Sequence, residues 1–374
     1  MVKRLSHEDS DIDLFMTDNI QQDSAVLPYA MELFSQSDKL CLDDTFEGLI
    51  KNFSLIGKEE IYAIPIGADI RGLYVNKTLL KDCGVEVPTN KTELLAACKK
   101  LKEKGYVPLQ GNPGMFGQQL LYPNIANIIT HAKDYKSTYN RVNQCEEGIE
   151  ELFRGPLELL YSMVENKYYD YKNVETTLNH FIVGTEEDAC ECFFDKKAGE
   201  FGNVPFMTGP ASMSNQMAQV KADNDSKIDY EFILAPVTDE GGCAYLSPTR
   251  AIAVNKNSAD ADWALEFMNY LFTEKNNKIF AEAYNTISNT KDAILYTSEK
   301  MEIPENQISE LGTVTFDYGF YKIIYNTLLQ ISKANNPKYM NDKGDGEVVM
   351  YDFDYYMDQL SAAFKEQRKN GEAS

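Results

Sequence analysis

The sequence predicts an α/β protein, because short strand-like runs alternate with amphipathic helix patterns along most of its 374 residues. Apolar residues make up 43% of the chain and charged residues 25%, a mixture typical of a folded globular protein. At roughly 100–200 residues per domain, this length favours two lobes over one. We therefore expect two lobes that share an α/β architecture.

The first elements are short and mostly extended. Residues 11–16 read as a strand, and residues 25–34 as a short amphipathic helix. Two apolar runs, 61–65 and 72–75, predict extended segments with a loop between them. The start of the chain therefore predicts strands that are separated by small connecting elements.

A clearer strand–helix alternation follows. Residues 77–83 predict a short helix, and a longer one with a single apolar face begins after Thr89 or Asn90, either of which can serve as its N-cap. Gly105 is suited to end that helix, and the run 106–109 predicts the next strand.

The rest of the chain changes character several times. Residues 117–181 are mainly helical in pattern, strands then resume, and the tail is helical again. The predicted strands are 204–208, 230–234 and 251–254, and the predicted helices are 212–220, 260–272, 274–284, 316–333 and 348–368. This order allows the chain to cross between lobes more than once.

Charge and composition exclude several classes of function. Asp and Glu number 58 against 36 Lys and Arg, giving a net charge of -22, so no basic stripe is available for nucleic acid or an anionic membrane surface. The three His are far apart and the seven Cys are irregularly spaced, which argues against a His-rich metal site and a disulfide framework. No signal peptide and no apolar run long enough to span a membrane is visible.

Motifs that would require catalysis are missing. The sequence contains no P-loop, no GxGxxG after a strand, no GxSxG and no HExxH. Residues 342–347 resemble a calcium loop only faintly, so both a solvated turn and a cation site stay open there. We expect no cofactor, no metal site and no catalytic residue.

Aromatic residues are abundant, with 23 Tyr and 19 Phe, and several lie in polar loops after strands. Open α/β sheets bind ligands at such places, and an aromatic ring beside Asp, Asn and Arg suits the face and hydroxyls of a sugar. Most of the aromatic residues are expected in the core, and the only Trp, Trp263, is expected to pack within its helix.

Several segments, in order and spacing, resemble the extracellular solute-binding proteins (family 1) of carbohydrate ABC transporters. That family tends to show G-x-x-Y-x-x-P, then G-L-Y-Y-N-K, then G-x-x-x-P-x-T-x-x-E-L; here Val75 replaces an aromatic residue of the second motif. The segments that carry the resemblance are 57–65, 71–80, 83–95, 201–209, 232–237, 251–254 and 263–272.

The resemblance implies a periplasmic-binding-protein-like fold of two α/β lobes with hinge crossovers and a helical C-terminal region. We expect residues 1–110 to form the first lobe, 111–275 mainly the second, and 276–374 helical segments that return across both. Family members usually begin with a lipoprotein signal, a lipidation Cys, a strand and a helix. Because these are not seen before residue 11, we expect an N-terminally truncated start.

The resemblance also implies that ligand contacts come from loops of both lobes. Asp18 and Asn19 could instead form a turn, Asp69 and Arg71 a salt bridge, and Phe116 a helix anchor. Tyr245 is the expected stacking ring of the second lobe. The full set of candidate ligand-binding residues is Asp18, Asn19, Asp69, Arg71, Asn112, Met115, Phe116, Thr208, Pro210, Ser212, Met213, Tyr245, Ser247 and Arg250.

The implied function is sugar capture for an ABC importer, with two lobes that close over a sugar or oligosaccharide and deliver it to permease subunits. The implied protein is a monomer, extracellular, and attached to the membrane only through a lipid anchor in its intact form. Two alternatives stay open: a glycoside-active enzyme with two carboxylates across a cleft, and a non-transport interaction protein on the same fold. A ferric-ion binder would need clustered Tyr in a matching loop, which the sequence does not show.

Overall fold

The fold is taken from a computed structural model. It describes residues 2–7, 10–17, 25–36, 38–40, 60–110, 113–169, 190, 193–194, 204–242, 246–248, 251–284, 286–288, 318–334 and 349–372.

Strands and helices alternate in the described ranges as the sequence predicts. The strands are β1 Leu14–Thr17, β2 Ile64–Pro65, β3 Gly67–Asn76, β4 Leu109–Gln110, β5 Phe206–Pro210, β6 Tyr230–Leu234, β7 Leu246–Pro248, β8 Ala251–Val254 and β9 Ile287–Ser288. The helices are α1 Val2–Leu5, α2 Lys77–Asp82, α3 Lys91–Glu103, α4 Pro113–Thr130, α5 Tyr135–Asn143, α6 Arg154–Glu165, α7 Ser214–Asp223, α8 Ala261–Leu271, α9 Glu274–Tyr284, α10 Tyr318–Lys333 and α11 Phe353–Glu372. Short 3₁₀ turns occur at Leu27–Tyr29, Phe34–Gln36, Ile149–Phe153 and Ala211–Met213.

The chain divides into two compact units, each built from two stretches of sequence. Unit 1 contains Met1–Ile70 and Leu246–Thr315, and unit 2 contains Arg71–Tyr245 and Phe316–Ser374. The chain therefore passes between the units more than once, first within strand β3. The three ranges expected from the sequence use other boundaries, and their assignment to lobes stays a prediction.

Unit 1 contains a small antiparallel sheet with β8 at its centre. Strand β8 pairs with β1 on one side and with β2 on the other, so that Thr17 and Pro65 both lie opposite Ala251. In a second ladder, the first part of β3 lies between β7 and β9, because Ala68 pairs with a residue of each. Helix α8 covers β8 with a buried face that includes Leu265 and Met268.

Unit 2 contains a sheet in which the second part of β3 lies between β5 and β6, antiparallel to both. Strand β4 extends this sheet beside β5, in parallel. Helix α7 packs on one face through Met217 and Val220, together with Phe193 and Phe194. Helix α4 also packs on β5.

Local signals correctly predicted the start of α3 in unit 2. The Asn90 side chain accepts a hydrogen bond of 2.9 Å from the backbone N–H of Glu93, which makes it the N-cap of α3. The Glu93 carboxylate reaches back to the N–H of Thr89 at 2.8 Å, completing a capping box. Gly105 follows the helix with a φ of 92°, the left-handed conformation that favours glycine.

Three predicted elements differ from the structure. Residues 25–34 form 3₁₀ turns instead of an amphipathic helix, and Pro28 at the start of the first turn contributes no N–H to a longer helix. Of the strand expected at 106–109, only Leu109 is in a strand, as the first residue of the two-residue β4. The loop expected between Pro65 and Gly72 is mostly strand, because residues 67–70 pair with β7 and β9 from distant parts of the sequence.

The cysteines that the structure describes lie inside the protein. Cys83, Cys98, Cys145 and Cys190 are buried. Burial raises the pKa of the Cys98 thiol well above its ordinary value, so this group stays protonated and behaves as a small apolar side chain.

Candidate functional site

Strand directions in unit 2 collect several loops at one edge of its sheet, which we call the carboxyl edge. Strands β4 and β5 are parallel, and β6 is antiparallel to β3 as β5 is, so the carboxyl ends of β4, β5 and β6 point the same way. The antiparallel register sets Arg71 of β3 opposite Pro210, the last residue of β5. In open α/β sheets, ligands bind at such edges.

The end of β5 forms a tight corner at the carboxyl edge. The chain leaves β5 at Pro210, makes the 3₁₀ turn Ala211–Met213 and enters α7. Ser212 is partly exposed at this corner, whereas Pro210 and Met213 are buried. Of these three candidate residues, Ser212 is therefore the one with its side chain accessible.

Thr208 and Pro210 lie within β5, whereas the predicted strand 204–208 ended before Pro210. The Thr208 side chain is 0% exposed, and within the described part of the chain its hydroxyl makes no hydrogen bond. A buried hydroxyl in the sheet interior cannot meet a ligand without movement of its neighbours.

Arg71 is partly buried and opens the part of β3 that belongs to unit 2. The sequence placed it in a loop, and the structure places it in a strand, where pairing to β5 fixes its backbone. A guanidinium carries five N–H donors and no acceptor, so at this edge it can donate to hydroxyl or carboxylate oxygens.

The loop after β6 also reaches the carboxyl edge, and its one nominated residue, Tyr245, lies outside the described residues. The buried Asn124 side chain of α4 donates to the carbonyl of Val237 at 3.1 Å, and the N–H of Lys91 donates to the carbonyl of Thr238 at 2.8 Å. The loop is therefore tied to two helices. Pro236 and the pair Gly241–Gly242 after an apolar strand were the available signal for it.

Helix α4 starts just beyond the end of β4. Met115 and Phe116 lie in its first turn and belong to unit 2, the same unit as Ser212. Asn112 is outside the described residues, as are Asp18, Asn19, Tyr245 and Arg250.

Unit 1 has a comparable edge at the ends of β1 and β2. Thr17 ends β1, Pro65 ends β2, and both lie opposite Ala251, the first residue of β8. The candidates Asp18 and Arg250, which the sequence nominated in loops of different lobes, are the chain neighbours of Thr17 and Ala251 and lie outside the described residues.

Asp69 and Ser247 meet within unit 1, although the sequence assigned them to opposite lobes. They are directly paired residues of β3 and β7. The Asp69 side chain is buried in a strand and not in the expected loop. The backbone pairing therefore holds the two positions together, whatever ligand is bound.

The Glu32 carboxylate is the common acceptor of several backbone hydrogen bonds near the start of β2. Glu32 accepts hydrogen bonds from the N–H groups of Phe34 at 2.8 Å, Ser35 at 2.7 Å and Ile61 at 3.1 Å. Burial acts to raise the pKa of Glu32, but the backbone hydrogen bonds of Ser35, Ile61 and Phe34 outweigh it, and the pKa is lowered.

Helix α8 exposes an aromatic face. Trp263 is 75% exposed, and Phe267 and Tyr270 on the same side of the helix are exposed as well. The expectation that Trp263 packs within its helix was wrong, because the buried face is formed by Ala264, Leu265 and Met268 instead.

The described ranges also bear on two other kinds of site, a metal centre and a membrane span. Those residues contain no group of three or more His, Cys, Asp or Glu placed to hold a metal ion. Among their helices, none is both long and apolar enough to cross a membrane. The possible cation loop at 342–347 lies outside these ranges.

The sequence also matches a known protein family. The profile of the bacterial extracellular solute-binding proteins matches residues 23–278, more than half of the chain. The chain belongs to this family. No curated protein sequence matches it. Membership makes the chain a binding protein and implies an extracellular or periplasmic location.

Solved structures of solute-binding proteins share the fold. Maltose-bound MalE3 of T. maritima is 15% identical, with a TM-score of 0.61, 98% of this chain covered and 87% of that one. The cyclic α-maltosyl-1,6-maltose binding protein of Arthrobacter globiformis is 16% identical, with a TM-score of 0.62 and coverages of 99% and 87%. The GacH receptor of Streptomyces glaucescens, solved without ligand and with acarbose, is 16% identical, with a TM-score of 0.62 and coverages of 96% and 84%. These likenesses confirm the predicted periplasmic-binding-protein-like fold.

Proposed function

We propose that this solute-binding protein is the substrate-capture subunit of an ABC importer, and that its ligand is a sugar or oligosaccharide. It binds the ligand without covalent change and delivers it to permease subunits. The observation that supports this most directly is the carboxyl edge of unit 2, where Arg71 and Ser212 are partly exposed on a fold shared with proteins solved with maltose or acarbose.

The chemistry of that edge suits a neutral polyhydroxyl ligand. A serine hydroxyl both donates and accepts hydrogen bonds, and a guanidinium donates several in a fixed plane, which matches adjacent hydroxyls on a sugar ring. The start of α4 and the loop after β6 lie at the same edge and can contribute further contacts. The closure of two lobes over the ligand stays a prediction of the family resemblance.

Isothermal titration calorimetry with maltose, raffinose and acarbose tests the proposal. Arg71→Ala and Ser212→Ala are each expected to weaken binding about tenfold, which corresponds to one lost hydrogen bond of about 1.4 kcal/mol. Ser226→Ala is the matched control, because Ser226 lies beyond the other end of α7 and is expected to leave the affinity unchanged.

Two outcomes would contradict the proposal. One is the absence of any heat or thermal shift with all three sugars at millimolar concentration. The other is the appearance of hydrolysis products in the same mixtures, which would favour a glycoside-active enzyme. Light scattering during the titration checks the expected monomer, and labelling cells with a fatty-acid analogue checks the expected lipid anchor.

A further inference from the structure

Tyr74 lies in the second part of β3, which belongs to unit 2, and is fully buried. Its ring packs edge-on against the ring of Phe232, with the centroids 5.2 Å apart, and belongs to the core beneath α7. At the start of β6, Tyr230 extends the same aromatic group, and burial, with a smaller effect of Cys190, raises the pKa of Tyr230. The rings of Phe232 and Tyr230 therefore hold the Tyr74 ring through packing.

The Tyr74 hydroxyl points to the β5 corner. It donates a hydrogen bond of 2.8 Å to the carbonyl of Pro210 and lies 3.3 Å from the carbonyl of Ala211. These carbonyls begin the 3₁₀ turn that carries Ser212. A buried hydroxyl is costly without a partner, so this bond selects one position of the corner relative to β3.

Gly209 permits this contact. A Cβ at that position would lie 2.7 Å from Cε of Met213 and 3.1 Å from Cε2 of Tyr74. The glycine therefore lets the ring lie directly against the backbone of β5, while Met213 closes the other side. The corner is therefore held by the hydrogen bond of Tyr74 and by the packing of Met213.

The two ends of the Tyr74 side chain thus have separate tasks. The ring fills the core, and the hydroxyl lies within hydrogen-bond distance of the backbone carbonyls of the corner. Tyr74→Phe removes the hydrogen bond and keeps most of the packing. A role in ligand binding can therefore be separated from a role in stability.

We propose that Tyr74 is a positioning residue for ligand binding, whose hydroxyl fixes the Pro210–Met213 corner so that Ser212 meets the ligand. This rests on the proposed sugar-binding function. The hydroxyl is buried and does not touch the ligand; it acts through the carbonyls of Pro210 and Ala211. Without it, the corner samples several positions, and the ligand must select one of them.

The test compares wild type, Tyr74→Phe and Tyr356→Phe in the full chain. Tyr356 is the matched control, because it is also buried in unit 2 and its hydroxyl accepts a hydrogen bond of 3.4 Å from the N–H of Tyr351, just before α11. Both variants are expected to lower the unfolding midpoint modestly.

Two readouts follow. By calorimetry with maltose, raffinose and acarbose, Tyr74→Phe is expected to raise Kd about fivefold to tenfold for each sugar that wild type binds, and Tyr356→Phe to leave it unchanged. By hydrogen exchange, peptides covering residues 211–214 are expected to exchange faster in Tyr74→Phe only.

The outcomes separate the two proposals. Unchanged Kd values or unchanged exchange at 211–214 in Tyr74→Phe would overturn the positioning role. An equal loss of affinity in both tyrosine variants would also overturn it, because the effect would then be general destabilisation. If wild type binds none of the sugars, the proposed function is contradicted, and the exchange data alone show whether the hydroxyl fixes the corner.

Discussion

The two units hold the ends of their strands by different physical means. In unit 1, the Glu32 carboxylate gathers three backbone N–H groups near the start of β2. In unit 2, the corner after β5 depends on a neutral hydroxyl from a buried aromatic ring and on close packing at glycines. The stability of unit 1 should therefore depend on pH through Glu32. The stability of unit 2 should fall when a side chain is added at one of its closely packed glycines.

Adding volume to the sheet of unit 2 is expected to have the largest effect. Gly72 lies between β5 and β6, and a Cβ there would lie 2.3 Å from the carbonyl oxygen of Ile233 and 2.6 Å from the Phe232 ring. Gly72→Ala should destabilise unit 2 by about 3 kcal/mol or more, since a backbone atom cannot move aside as a side chain can. Urea unfolding followed by hydrogen exchange of unit 2 peptides measures this.

Gly155→Ala is the control for that prediction. Gly155 lies in α6, and a Cβ there would meet nothing within 4 Å, so alanine should stabilise the protein by about 0.5–1 kcal/mol. If Gly72→Ala kept near-wild-type stability, the strands of unit 2 would be able to separate at little cost in free energy. Close packing would then not distinguish unit 2 from unit 1.

Removing the charge of Glu32 should have an intermediate effect that depends on pH. Glu32→Gln should destabilise unit 1 by about 1–2 kcal/mol at neutral pH, because hydrogen bonds to a charged group are lost. The folded-state pKa of Glu32 is lowered, so its contribution is present above the unfolded value of about 4.3 and is lost as the pH falls through the folded value. Unfolding curves of wild type and variant should therefore converge in acid.

Glu266→Gln in α8 is the matched control in unit 1, since Glu266 is exposed on a helix surface. We expect little change there at any pH. If the difference in unfolding free energy between wild type and Glu32→Gln stayed constant down to acid pH, the contact would not depend on charge.

The smallest effect is expected at the N-cap of α3. Asn90→Ala removes the bond to the N–H of Glu93 and should cost about 1 kcal/mol. The group is neutral, so its own contribution should not vary with pH, unlike that of Glu32. Thr92→Ala in the same helix should instead stabilise slightly through helix propensity, and thermal unfolding of both variants checks the pair.

Local patterns predicted several helix ends of this chain, because caps and apolar stripes are encoded within a few residues. The start of α3 at Asn90 and the bounds of α9 are examples. Strand β3 was predicted only in part. Its first half pairs with β7 and β9, which lie far along the chain, and short polar positions such as Asp69 carry no local sign of that pairing.

The candidate site shows the same limit. Ser212 and Arg71 could be nominated from their neighbours, but their placement at one edge depends on the β3–β5 register. The hydroxyl of Tyr74 finds its acceptor 136 residues later, at Pro210. A buried tyrosine on a strand requires a partner for its hydroxyl, but the sequence does not say which one.

The exposed position of Trp263 limits what intrinsic fluorescence can report. It is the only tryptophan in 374 residues, so all tryptophan emission comes from the outer face of α8 in unit 1. Its indole is already in water, and unfolding should shift its emission little. An apolar partner that covers α8 would take the indole out of water and should therefore move its emission to shorter wavelength.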